Sequence, residues 1–288
     1  MPAFKAFVWF YRSSRVDGKL ISGEINPGID LIWVAERKDF ETLILSIRLA
    51  IRHTLNPVNS VKVIVPEAQM NECREHINKQ DSKFEVKIIS ESEIIPPVLI
   101  DKIKSRFPEK FGWILQQFLK LESVQNSKSA GVLIIDADTM LLEDRLWLDQ
   151  ELNQILMTAP WQHEPYFLFL RKLGLFTGKS RYSFVTHHML MQPQVLQEAI
   201  NTKGFKNMRS FIDFLLEELN DSNIRGCSID YEFYGNYFYA KFPDKTRLVK
   251  FCNLSKKSDL NVPSLKKLIE QLEDAGEYRS ISLHSWNS

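Results

Sequence analysis

Asp136 and Asp138, two carboxylates one residue apart, follow a run of four apolar side chains, Val132, Leu133, Ile134 and Ile135. From Gly131 to Leu142 the segment reads G-V-L-I-I-D-A-D-T-M-L-L. Four apolar residues in a row suit a buried strand and are too few for an ordinary helix. A carboxylate buried there without a partner is very costly. Ligands, however, bind at the carboxyl edge of strands in an open α/β sheet. The economical chemistry is a divalent cation held by carboxylate oxygens, with phosphate groups on its far side.

The elements before this segment must place it at a sheet edge. Leu31 to Ala35 predicts a buried strand, and Leu43, Ile47 and Ile51 predict an amphipathic helix over Phe40 to His53. Asn56-Pro57 marks a turn. Val61 to Val65 reads as a second strand stopped by Pro66, with a polar helix following to about Lys79. Phe84 to Ile89 is the third strand. A β-α-β-α-β opening predicts a parallel sheet with right-handed crossovers, an α/β fold.

A helix over Lys110 to Val124 leads into the aspartate strand, with Phe111, Ile114, Leu115, Phe118 and Leu121 on its apolar side. Trp113, Gln116, Gln117 and Lys120 fall on the other side, either as a solvated face or as a phosphate or nucleotide contact. The second half is less regular. Helices are predicted over Phe211 to Leu219 and around Leu265, Leu268, Ile269 and Leu272, the latter between Pro263 and Gly276. An aromatic-rich stretch, Tyr231 to Phe242, lies between them. With no repeat, low-complexity tract or linker, residues 1–288 read as one domain.

A hydrophobic content of 44% with mixed charge excludes a disordered chain, and a net charge of +1 argues against a nucleic-acid partner. Cys73, Cys227 and Cys252 fit neither a disulfide framework nor a zinc pattern and read as free thiols of a reducing compartment. No apolar stretch is long enough to span a bilayer, so the expectation is a cytoplasmic protein. Phe4, Phe7, Trp9, Phe10 and Tyr11 near the start read either as a peripheral membrane contact or as an extra packed strand or helix.

Three blocks in order carry a resemblance. They are Gly112-Trp113-Ile114-Leu115-Gln116-Gln117-Phe118-Leu119-Lys120-Leu121, then Asp136-Ala137-Asp138-Thr139, then Asp230-Tyr231-Glu232-Phe233-Tyr234-Gly235-Asn236. Together they resemble the nucleotide-sugar glycosyltransferases of the GT-A fold, and most closely a bacterial family of glycosyltransferase-like proteins with a D-A-D-T motif. That family has Glu where Asp230 stands, and an Arg shortly before Gly-Trp where this chain has Lys110 and Phe111. The resemblance implies a Rossmann-like, mostly parallel sheet flanked by helices, with a nucleotide-binding half (about 28–142) and an irregular acceptor-binding half (about 143–288). It implies a metal-dependent, hexosyltransferase-like enzyme moving a sugar from a nucleoside diphosphate, most commonly uridine diphosphate, to a glycan or lipid-linked hydroxyl.

The same resemblance assigns residues. Asp138 is the firmer ligand for Mn²⁺ or Mg²⁺; Asp136 would bind metal, the nucleotide ribose, or both; His284, in Leu283-His284-Ser285-Trp286, would complete the site or be structural. Lys120 would add positive charge beside the diphosphate or be an ordinary solvated lysine. Asp230 and Glu232 are candidates for a general base or for hydroxyl binding, sharing a face if their segment is a strand, and otherwise loop anchors. Tyr231 and Tyr234 in the same block are acceptor-binding candidates. In His187-His188-Met189 adjacent side chains would point to opposite sides of a strand, so His188 is preferred for an acceptor or phosphate contact; His163-Glu164 raises the same question. Ala35, Glu36, Arg37 and Glu91 follow strands one and three, where a nucleotide base should lie, though Arg37 and Asp39 also suit a helix start.

Other classes fit less well. Haloacid dehalogenase phosphatases also place two aspartates after a strand, but the fifth motif position here is Met140 and no downstream G-D-x-x-x-D follows. A nucleotidyltransferase would need a glycine-rich phosphate loop, and the first βα connection, Glu36 to Glu41, has no glycine. A non-catalytic sugar-nucleotide or glycan-binding protein of the same fold is the alternative, separated by donor hydrolysis in the presence of metal.

Overall fold

Two mostly apolar strands of six residues, Ile29–Val34 (β1) and Gly131–Asp136 (β4), lie side by side in parallel at the centre of the molecule. The computed structural model describes residues 19–20, 23, 25–79, 85–159, 161–175, 182–257 and 261–284; the aromatic segment from Phe4 to Tyr11 lies outside them. Between the two strands the chain forms Phe40–His53 (α1), Val58–Val65 (β2), Met70–Asn78 (α2), Val86–Ser90 (β3), Glu91–Ile94 (α3), Pro97–Arg106 (α4) and Phe111–Gln125 (α5).

After β4 come Thr139–Leu141 (β5), Gln154–Thr158 (β6), Glu164–Lys172 (α6), His188–Met191 (β7), Pro193–Asn201 (α7), Met208–Glu218 (α8) and Tyr231–Lys241 (α9). Thr246–Lys250 (β8), Asn253–Lys257 (β9), Val262–Ala275 (α10) and Ser280–His284 (β10) complete the described chain. The central sheet runs β3-β2-β1-β4-β7, parallel except for antiparallel β7. The protein is therefore a mixed α/β fold with a mostly parallel sheet flanked by helices.

Side-chain alternation accounts for the layers. Ile32 of β1 and Ile134 of β4 pack on one face with Ile114, Leu115 and Phe118 of α5 and with the helices of the second half. Leu31, Trp33, Leu133 and Ile135 pack on the other with Phe40, Leu43 and Ile47 of α1. A sheet covered on both faces explains why these strands are continuous apolar runs.

The chain leaves β1 towards β2 and β3 on one side, then returns through α5 to β4 on the other. The direction of winding reverses between β1 and β4, where open α/β sheets form their ligand crevice. Asp136 is the last residue of β4, opposite Val34 of β1.

A second sheet, β5-β10-β9, brings the end of the described chain to this edge. Ser282 pairs with Thr139, and the Leu283 amide donates to the Asp138 carbonyl at 3.0 Å. Pairing alone thus sets His284 beside Asp138. The preceding helix, α10, has Pro263 in its first turn and ends on Gly276 in the left-handed region (φ 66°), as its sequence predicts. The three cysteines are free thiols. No helix among the described residues is long and apolar enough to cross a membrane.

Candidate active site

A cleft of about 540 Å³ opens at the carboxyl ends of β1 and β4. Trp113, Gln116, Gln117 and Lys120 of α5 line it, with Asp136, Asp138, Asp230, Tyr231 and His284. All three sequence blocks meet here.

Asp136 is the hub of the cleft floor. Its Oδ1 accepts from Lys120 Nζ at 2.7 Å and from the Tyr231 hydroxyl at 2.9 Å, and its Oδ2 lies 3.1 Å from His187 Nδ1. Lys120 Nζ also donates to Asp230 Oδ2 at 3.3 Å and sits 4.6 Å from the centre of the Tyr231 ring. Burial works to raise the Asp136 carboxyl, but the Lys120 charge and the His187 contact overcome it and hold the group below the usual range. Burial pushes the Lys120 ammonium down, yet its two carboxylates leave it raised and charged. The polar stripe of α5 is therefore no solvated face at its inner end: Lys120 is only 3% exposed.

Gln117, equally buried, clamps the approach to Asp230. Its Nε2 donates to the Cys227 carbonyl at 3.0 Å, and its Oε1 accepts from the Ile229 amide at 2.9 Å. Asp230 then caps α9, its Oδ1 accepting from the Tyr231 amide at 2.8 Å. The aromatic-rich segment is thus a helix, and a two-residue step on a helix turns side chains to nearly opposite sides.

Glu232 consequently leaves the cleft. It is fully buried, accepting from the Ser183 hydroxyl, the Phe184 amide (3.2 Å) and Asn236 Nδ2 (2.9 Å). It anchors the loop that presents Val185 and His187 to the cleft, so the shared face expected for Asp230 and Glu232 does not form.

Burial outweighs these hydrogen bonds and raises Glu232 to about 7. Because the folded value exceeds the unfolded one, the fold favours the protonated acid. That stabilisation is complete below about pH 4.5 and lost as pH rises through about 7. Glu91 and Asp39, raised mainly by burial to about 7 and about 6, add slope of the same sign. Glu232→Gln should flatten the fall in melting temperature between about pH 5 and pH 8, a difference of up to about 3 kcal/mol. Calorimetric scans across that range check it; parallel curves would show that Glu232 does not change protonation there.

Other predicted site residues lie elsewhere. Ala35 is buried one residue past Val34, which does line the cleft. Arg37 is exposed and paired with Glu72 at 2.6 Å, a surface role. Glu91 starts α3 near the Glu36 charge and is not among the cleft-lining side chains. The Tyr234 hydroxyl donates to Gln154 Oε1 at 2.9 Å and accepts from the Gln192 amide at 2.8 Å inside the core. His188 is buried edge-on against Trp147 and held neutral, its value lowered to about 3 mainly by burial.

Of the adjacent pair His187 and His188, it is His187 that lines the cleft, together with His284. Strand alternation identified two opposite directions but not which one was inward. Its φ of 59° lies in the left-handed region, uncommon for a non-glycine residue, and its ring lies 4.8 Å from that of His284. Asp39, Thr42, Tyr166 and Ser228 also line the cleft; Tyr166 gave no sequence signal because its helix was not foreseen.

Asp138 differs from Asp136. His284 Nδ1 lies 3.5 Å from its Oδ2, and Thr139 Oγ1 donates to Oδ1 at 3.3 Å. Lining carboxylates Asp39, Glu41, Asp136, Asp138 and Asp230 outnumber the lysines Lys38 and Lys120. No group of three His, Cys, Asp or Glu side chains among the described residues is placed to hold a metal unaided. Asp138 and His284 form an adjacent oxygen and nitrogen pair at the cleft, whose contacts to each other and to Thr139 are longer than those Asp136 makes with Lys120, Tyr231 and His187.

A sequence model of a family of unknown function (DUF6492) matches residues 37–164, a stretch that includes Lys120, Asp136 and Asp138. No curated protein matches the chain. Among solved structures, the apo form of mouse xyloside xylosyltransferase 1 is similar with a TM-score of 0.47 at 12% identity, over 91% of this chain and 99% of that one.

Proposed function

We propose that this protein is a glycosyltransferase that moves a sugar from a nucleoside diphosphate donor to the hydroxyl of a glycan or lipid-linked acceptor. The observation that carries the reading is the convergence of the three sequence blocks on one cleft at the sheet's switch point. The cleft is negatively charged by its lining, so a diphosphate would be repelled unless a cation accompanied it. That favours a divalent ion held by Asp138 and His284, with phosphate oxygens supplying the remaining ligands, as Mg²⁺ and Mn²⁺ sites commonly do.

The bond that must break joins the anomeric carbon to a diphosphate oxygen, and negative charge grows on that oxygen. Mn²⁺ or Mg²⁺, when bound, would supply Lewis-acid stabilisation of this charge. The chain's own residues supply the frame. Lys120 offsets part of the charge of Asp136 and Asp230 and holds both in place before any substrate arrives, so little reorganisation is needed during reaction. Asp230, rather than Glu232, is the carboxylate at the cleft for an acceptor or sugar hydroxyl. Trp113 and Gln116, on the first turns of α5, line the cleft along with Val34 of β1 and are the residues assigned to the nucleotide. In this reading residues 28–142 carry the donor and residues 143–288 the acceptor.

Incubation with a panel of nucleoside diphosphate sugars and Mn²⁺ should release nucleoside diphosphate slowly even without acceptor, and chelation should stop it. Binding of a sugar nucleotide with no metal-dependent release under any condition would favour a non-catalytic binding protein instead.

A further inference from the structure

Three aromatic rings lead in succession from the cleft to the surface. His187 lines the cleft, Phe251 lies 5.6 Å from it, and Trp161 stands edge-on to Phe251 at 6.0 Å. Phe251 is buried, but Trp161 is 38% exposed. A second aromatic pair comes from the same segment: His163 packs against Tyr166 at 4.5 Å, and Tyr166 is itself a cleft wall. A lone exposed apolar side chain needs no explanation. An exposed Trp tied through packed rings to a charged cleft, with a second aromatic pair beside it, is a different matter.

We infer that Trp161 is a saccharide-stacking subsite for the acceptor, resting on the glycosyl-transfer reading above. A pyranose ring offers one face of C–H bonds and a rim of hydroxyls. The rigid indole suits the C–H face at low entropic cost, and its apolar body with a polar tip works at a wet site. The rim hydroxyls would meet the imidazole of His163 and the phenol of Tyr166. Tyr166 is close enough to Asp230 to feel its charge, so the 161–166 segment stands on the side of the carboxylate assigned above to a hydroxyl.

The test uses protein labelled with 5-fluorotryptophan, the Trp161 resonance being assigned by its loss in Trp161→Phe. Methyl glycosides, short neutral oligosaccharides and, separately, phospholipid vesicles are the probes. The expected result is that a saccharide moves the Trp161 resonance, and that Trp161→Ala weakens that saccharide about tenfold while leaving metal-dependent nucleotide binding unchanged. No response of Trp161 to any saccharide, with nucleotide binding intact, would overturn the subsite and leave the donor reading standing. A response only to phospholipid vesicles would overturn it in favour of a membrane contact. Loss of nucleotide binding in the unsubstituted protein would instead sink the donor reading itself.

Discussion

Lys120→Met should cost about 3–5 kcal/mol of stability at neutral pH, lowering the melting temperature by about 10 °C. The ammonium is 3% exposed and is shared by Asp136 and Asp230, so its loss strands the buried Asp230 carboxylate and the partly buried Asp136 carboxylate without their common cation. Removing one partner of a buried charge network is expensive because the remaining charge is stranded, whatever the net worth of the intact network. The pH dependence carries the diagnosis. In the wild-type protein Lys120 holds Asp136 below the usual range, whereas in the variant burial would raise it. Protonation then relieves the strandedness, and the gap between variant and wild type should narrow as pH falls below about 5. Urea melts at several pH values measure this; a loss under about 0.5 kcal/mol, constant with pH, would mean that Lys120 is an ordinary solvated lysine.

Asp138→Ala should behave in the opposite way, with a large effect on turnover and a small one on stability. Its carboxylate is partly exposed at the cleft and is not balanced by Lys120. If Asp138 and His284 hold the cation that stabilises the leaving diphosphate, removing either costs several kcal/mol of transition-state stabilisation, a fall of about 10³-fold in metal-dependent donor turnover. The melting temperature should stay within a few degrees of wild type. Activity that survives both Asp138→Ala and His284→Ala would remove the metal role from this pair.

These two predictions separate roles that the sequence merged. From Asp136-Ala137-Asp138 alone, a cation was the economical way to balance both carboxylates. The structure balances Asp136 internally, with a lysine 16 positions earlier on α5. Helical periodicity gives the side of α5 on which that lysine lies and not its depth.

The parallel opening of the fold is legible because β1, β2 and β3 are short segments rich in Val, Ile and Leu, separated by an amphipathic and a polar helix with clear stops. Boundaries moved by only a few residues: Leu31 to Ala35 became Ile29–Val34, while Phe40–His53 stood as drawn. His284 beside Asp138 is reachable only through the resemblance, since the β10–β5 pairing, with Ser282 and Thr139 143 positions apart, leaves no local trace.

The failures share a cause. Asp230 and Glu232 separate because Tyr231–Lys241 is a helix buried all round from Tyr231 to Phe238, which lacks the polar stripe by which a surface helix announces itself. Tyr234 turned into the core for the same reason. His187 and His188 exchanged roles because a positive φ at His187 cannot be read from a histidine's neighbours.

The most direct test of the central claim is calorimetric titration of the wild-type protein and Asp138→Ala with a panel of nucleoside diphosphates, each with and without Mn²⁺. The account predicts that one nucleotide binds the wild type only when Mn²⁺ is present, and that folded Asp138→Ala does not bind it. Binding that is equal in the variant, or absent from folded wild-type protein for every nucleotide, would contradict it.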